Sequence, residues 1–107
     1  MTNTIKTLQQ QVRKVVNKFG FQWSDYVQYI HLVEEVGELG EALTVHLGDR
    51  QAGSGSEALA DHADVKEELG DVFFNLLEIA NRLDISMDEV YQETLQRYEK
   101  KLANTQK

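Results

Sequence analysis

A chain of 107 residues with 41% hydrophobic positions and no proline or cysteine has room for one domain around a single core. Eighteen acids against 11 bases give a formal charge of −7. That argues against nucleic acid as a direct partner, because a phosphate backbone calls for a basic face. Without cysteine there are no disulfides and no thiolate chemistry. No apolar run is long enough to cross a bilayer, and the polar opening MTNTIKTLQQQVRK lacks the apolar segment of a secretory signal. The expectation is a cytoplasmic, all-α protein with no membrane partner.

The absence of proline favours long uninterrupted helices. Ile5, Leu8, Val12, Val15, Val16 and Phe19 recur at helical spacing, so a first helix is expected from about Thr4 to Lys18, with Gly20 as its stop. Phe21, Gln22 and Trp23 form a short aromatic link. Ser24 can cap the second helix, with Asp25 in its first turn. That helix carries apolar residues through Leu47 and is expected to stop at Gly48.

At about 100° per residue, His31, Glu38, Leu39 and Ala42 share the arc of Glu35. Leu32, Val36 and Leu43 flank it on one side, Val27 and Val45 on the other. Glu35 and Glu38 therefore point into apolar company. Residues 48–60 are rich in Gly and Ser and read as a flexible surface loop, either a lid or a tolerated insertion. A third helix is expected from about Asp61 or His62 to Leu83. Its segment DVFFNLLEIA is apolar nearly all round, broken only by Asn75 and Glu78, which predicts burial on more than one side and hence a homodimer or homotetramer. Ser86 and Glu89 form a capping box for a fourth helix. Met87, Val90, Tyr91, Thr94, Leu95, Tyr98 and Leu102 lie on one of its faces, and Arg97, Lys100 and Lys101 near its end. The chain 1–107 is read as a single helical domain, bundle-like with four helices.

The second and third helices carry the chemistry. Glu35 and Glu38 lie three residues apart, as do Glu68 and Asp71, and residues so spaced share a helix face. Two such helices side by side bring four carboxylates together. Four anions at one point repel and are costly to desolvate, so the cluster makes sense as a cage for a hard divalent cation. All-oxygen ligands suit Mg²⁺ or Mn²⁺ over Zn²⁺, and the Glu-x-x-His of di-iron bundles is absent at these pairs. The competing reading of each pair alone is a solvated helix face. Gly37, Gly40 and Gly70 interrupt the helices beside the acids, each at about 1 kcal/mol relative to alanine. They imply close approach of the backbone to a facing helix or to a ligand.

The spacing Glu34-Glu35-x-x-Glu38 followed by Glu68-x-x-Asp71, framed by EVGELGEAL and EELGDVFFNLLEIA, resembles the all-α nucleoside triphosphate pyrophosphohydrolases of the MazG type, over roughly Trp23 to Lys101. The resemblance implies an assembly of helical bundles, dimer or tetramer, with the site near a subunit interface. It implies Mg²⁺ bound by Glu35, Glu38, Glu68 and Asp71, and cleavage of a nucleoside triphosphate to monophosphate and pyrophosphate. Glu34, or failing it Glu41, then positions the attacking water. Lys66, Arg97 and Lys101 are candidates to meet the departing pyrophosphate. Trp23, Phe19, Tyr26 and Tyr98 are candidates to stack on the base, Trp23 foremost, with core packing as their other reading. Asn75, isolated among apolar residues, needs a polar partner, either a nucleotide or a carboxylate ligand. The alternative function is a non-catalytic helical dimer that senses nucleotides or regulates a partner.

Overall fold

The first three helices each start where a short polar side chain takes one of the first free backbone amides. In the computed structural model, which describes residues 4–47 and 64–105, Thr4 and Thr7 form a reciprocal capping box at 3.2 and 2.8 Å. They open α1, Ile5–Phe19, which ends at Gly20 in the left-handed conformation (φ 65°). The Ser24 hydroxyl accepts from the Val27 amide at 3.1 Å and opens α2, Asp25–His46. Asp64 accepts from the Glu67 amide at 3.1 Å and opens α3, Val65–Arg82. The last helix is α4, Met87–Thr105. Among the described residues there are these four helices and no strand, so the fold is all-α as expected.

Two boundaries differ from the sequence reading. The third helix starts at Val65, after the 61–62 expected, because Asp64 holds an extended backbone and uses its side chain as the cap. The second helix ends at His46 with Leu47 as its C-cap. The expected Gly48 stop, the 48–60 loop and residues 61–62 lie outside the described residues.

Helices α2 and α3 run antiparallel: Trp23 meets Arg82, Gln28 meets Asn75, and Glu35 meets Glu68 and Asp71. Helix α1 packs on α3 and α4 on α1. Gln9 fastens this second layer. Its amide donates to Asn81 Oδ1 (3.0 Å) and to the Ile85 carbonyl (2.9 Å), and its Oε1 accepts from the Met87 amide (2.9 Å). That last bond satisfies one of the free amides at the start of α4. The α3–α4 connection closes as a Schellman motif. The Ile85 amide donates to the Ala80 carbonyl at 2.9 Å and the Asp84 amide to Asn81 at 3.1 Å, with Asp84 itself left-handed at φ 55°.

Among the described residues the buried apolar side chains are few: Val12, Ala42, Leu77 and Ala80. Helix α3 is packed on two sides, by α1 and α2, yet Leu69, Phe73 and Leu76 remain exposed. No residue of α4 is buried, and its expected apolar face, including Val90, Tyr91, Leu95, Tyr98 and Leu102, is exposed.

Candidate functional site

The antiparallel pairing of α2 with α3 brings acids from both helices to one point. One carboxylate oxygen each of Glu35, Glu68 and Asp71 lie within 4.8 Å of one another. Glu68 is buried at 3% exposure, while Glu35 and Asp71 are half-buried. Glu38, also half-buried, is hydrogen-bonded to Glu35. Burial, the hydrogen bond to Glu38 and the negative charges of Glu38, Asp71 and Glu68 push the Glu35 carboxyl up to about 7. Desolvation and like charge both disfavour the ionised form. The charges acting on Glu35 are all carboxylates.

These residues fit a hard cation. The donor set is all oxygen, and the buried Oε2 of Glu35 has no hydrogen-bond partner among the described residues. Ligand oxygens on opposite sides of an octahedral Mg²⁺ are separated by about 4.2 Å, twice its metal–oxygen distance. The 4.8 Å spread is within a small side-chain adjustment of that value.

Glu34 stays outside the cluster. It is exposed, and its Oε2 lies 3.9 Å from His31 Nδ1. His31 also meets Trp23 edge-on, with ring centroids 5.6 Å apart.

A cavity of 190 Å³ opens one helical turn from Glu35 and Asp71, lined by Phe21, Trp23, Gln28, His31, Phe74, Asn75 and Glu78. Gln28, 1% exposed, organises it. Its Oε1 accepts from the Trp23 indole N–H at 2.7 Å, and its Nε2 donates to Asn75 Oδ1 at 2.9 Å. Asn75 donates in turn to the Asp71 carbonyl at 2.8 Å. The polar partners that Asn75 requires are therefore supplied by the protein. One face of Trp23 is stacked on Phe21 at 4.9 Å, so the indole is held in place by its own neighbours. At the far end, buried Glu78 accepts from Arg82 Nε at 2.8 Å, and Arg82 also donates to the Trp23 carbonyl at 2.7 Å.

The expected cations are not gathered at the acids within one chain. Lys66 is exposed in the first turn of α3, about 200° around the helix from Glu68 at 3.6 residues per turn. Arg97 and Lys101 are exposed on α4, whose packing is against α1. A larger cleft of 700 Å³, lined by Lys6, Gln9, Arg13, Asp88 and Glu89 among others, lies between α1 and the start of α4, away from the carboxylates.

Two further residues shape the site, Gln28 and Arg82. Gln28 is seven positions before Glu35, two turns along the same face, a spacing that was visible. Arg82 is four positions after Glu78, the spacing of a helical ion pair.

Residues 26–104 match the family model described as the MazG nucleotide pyrophosphohydrolase domain. The chain is 31% identical over 97 residues to YpjD of Bacillus subtilis strain 168, an uncharacterized protein, covering 89% of this chain and 83% of YpjD. The crystal structure of YpjD from Bacillus subtilis, a candidate pyrophosphatase, superposes with a TM-score of 0.75 at 28% identity, over 91% of this chain and 94% of that one.

Proposed function

The chain belongs to the MazG nucleotide pyrophosphohydrolase family, and we propose that it hydrolyses (deoxy)nucleoside triphosphates to monophosphate and pyrophosphate, using Mg²⁺ with Mn²⁺ as a substitute. The reading rests on one observation. One carboxylate oxygen each of Glu35, Glu68 and Asp71, from two helices, lie within 4.8 Å of one another, and Oε2 of Glu35 is buried with no hydrogen-bond partner among the described residues. Glu35, Glu38, Glu68 and Asp71 are the proposed ligands. A cation held by these residues would neutralise phosphate charge and lower the pKa of the attacking water, which an acidic protein needs before it can hold a triphosphate.

The chain's own residues then do the following. Glu34, solvent-facing next to Glu35, positions the water that opens the α–β anhydride. Water supplies the oxygen, one proton is released, and pyrophosphate departs. Asn75 and Trp23 border the cavity beside the acids, where the nucleoside is seated. Lys66, Arg97 and Lys101 are assigned to the departing pyrophosphate. Because Arg97 and Lys101 stand apart from the acids within one chain, that role fits a homodimer or homotetramer. The physiological role that follows is clearance of surplus or noncanonical nucleotides.

The test is product analysis with a panel of ribo- and deoxynucleoside triphosphates plus Mg²⁺ or Mn²⁺, with EDTA as control. Monophosphate and pyrophosphate that vanish with EDTA, and in Glu38→Gln or Asp71→Asn variants of native helicity, are the expected result. Orthophosphate and diphosphate would mean that another bond is cut. Metal binding without turnover would instead favour a nucleotide-sensing module.

A further inference from the structure

Helix α3 buries a second acid that the carboxylate cluster does not use. Glu78 follows Asp71 by seven residues, two turns along the same face, and its side chain is 5% exposed. Its Oε2 accepts from Arg82 Nε at 2.8 Å. Two buried charges so paired are weak evidence of stability, because desolvation offsets their attraction and apolar groups of similar volume are often as stable in their place. Stability alone therefore does not account for an ionised group at this position.

The cavity that Glu78 borders supplies a reason. Glu78 lines the 190 Å³ space together with the rings of Phe21, Trp23 and Phe74. That volume is below the roughly 300–1,000 Å³ of pockets that enclose a whole small ligand, and aromatic walls suit one flat heteroaromatic ring. Glu78 lies about 10 Å along the helix from Asp71 at 1.5 Å per residue. A nucleotide whose phosphates meet the acids can therefore reach it with the edge of the base farthest from the sugar. The other polar groups of the cavity do not choose that edge. Gln28 and Asn75 bond one another, the Trp23 indole and the Asp71 carbonyl, and His31 donates or accepts according to its tautomer. An ionised carboxylate only accepts, and with about four acceptor positions Glu78 keeps capacity beyond its Arg82 bond. It takes a hydrogen from an exocyclic amino group and repels a keto oxygen set in the same place.

We propose that Glu78 is a specificity-determining residue: its carboxylate accepts from the exocyclic amino group of cytosine or adenine seated in this cavity, and so selects those bases over their keto counterparts, uracil and hypoxanthine. The inference rests on the seating of the nucleoside proposed above. Arg82, which also donates to the Trp23 carbonyl at 2.7 Å, holds the carboxylate in register with the link that carries the indole.

CTP and UTP, like ATP and ITP, differ chiefly at that group. Wild-type kcat/KM should favour the amino member of at least one pair by about ten- to a hundredfold, the range of a hydrogen bond to a charged group, and the pair that shows it tells whether the cavity seats a pyrimidine or a purine. Glu78→Gln keeps the shape and an oxygen for Arg82 but adds a donor, so it should erase or reverse the ratio, chiefly through KM. Glu78→Asp, which still only accepts, should keep its direction. A wild type indifferent in both pairs, or a folded Glu78→Gln protein with the wild-type ratio, would overturn the proposal. Trp23 is the single tryptophan of the chain, and its fluorescence reads the cavity without turnover or metal. Cytidine should quench it at lower concentration than uridine, or adenosine than inosine; equal responses in both pairs would again overturn the proposal. Such a preference in a protein that hydrolyses no triphosphate would overturn the hydrolase reading and leave the base selection standing.

Discussion

Gln28 donates its side-chain amide to Asn75 at 2.9 Å, and Asn75 donates its own to the carbonyl of Asp71 at 2.8 Å. One buried relay thus ties α2 to α3 a single turn from the carboxylate cluster. Asn75→Ala would leave the Gln28 amide in the interior without its acceptor. The expected cost is about 1–3 kcal/mol, the penalty for a buried polar group left unpaired, read by urea denaturation. Combined with Gln28→Leu, the loss should be smaller than the sum, with a coupling of about 0.5–3 kcal/mol. Strict additivity would show that the two amides do not act as a pair.

Arg82 and Glu78 behave as a buried ion pair, with 14% and 5% of their side chains exposed and 2.8 Å between Nε and Oε2. Arg82→Met would strand the Glu78 carboxylate, at about 3–5 kcal/mol. That is a large share of the ~5–15 kcal/mol that holds a domain together. Adding Glu78→Leu should restore most of the loss, since replacing both members of such a pair by apolar groups is often neutral. Thermal melts of the three variants decide it, and a double variant no better than Arg82→Met would point to the Arg82 bonds with Trp23 and Asp25 as the main contribution.

The helices were legible because their signals are local. Thr4, Ser24 and Gly20 mark boundaries through their own side chains or lack of one, and the structure uses all three. The start of α3 was misplaced because Asp64 resembles the acids around it until its cap bond is seen. The meeting of Glu35 with Glu68 and Asp71 was legible because i, i+3 spacing fixes a face and the apolar frame fixes which way that face turns. Gln28 shares the face of Glu35 by its spacing, but the burial of Gln28 and of Gln9 depends on partners 47 and 72 residues away, which no local pattern shows. The placing of Lys66, Arg97 and Lys101 was not legible either. Charge on a helix is read from sequence, but the surface it meets is set by packing.

Metal-free protein should lose stability as pH rises. Glu35 has a folded pKa raised to about 7 against an ordinary value of about 4.3 in an unfolded chain, so the folded state binds this proton more tightly. Its contribution is fully present below the unfolded value and is lost as pH climbs through 7. Melting temperatures in EDTA from pH 4.5 to 7.5 should therefore fall more steeply for the wild type than for Glu35→Gln, which has no carboxyl to ionise. Parallel curves for the two proteins would show that Glu35 is not the group responsible.

Divalent metal should reverse that loss. Ionised Glu35 is unfavourable because carboxylates surround it, and a cation among them turns the same crowding into attraction while displacing the proton. At a hundred times its dissociation constant a ligand specific to the folded state stabilises by about 2.7 kcal/mol. Each kcal/mol moves the melting point of a domain this size by roughly 4–8 °C. Mg²⁺ or Mn²⁺ added at pH 7.5 should raise the wild-type melting temperature accordingly, and by less at pH 5, where the proton competes. Asp71→Asn should respond weakly at either pH. An equal rise in wild type and Asp71→Asn would place the cation elsewhere on this acidic chain, and no rise at all would mean that the carboxylates meet without holding metal.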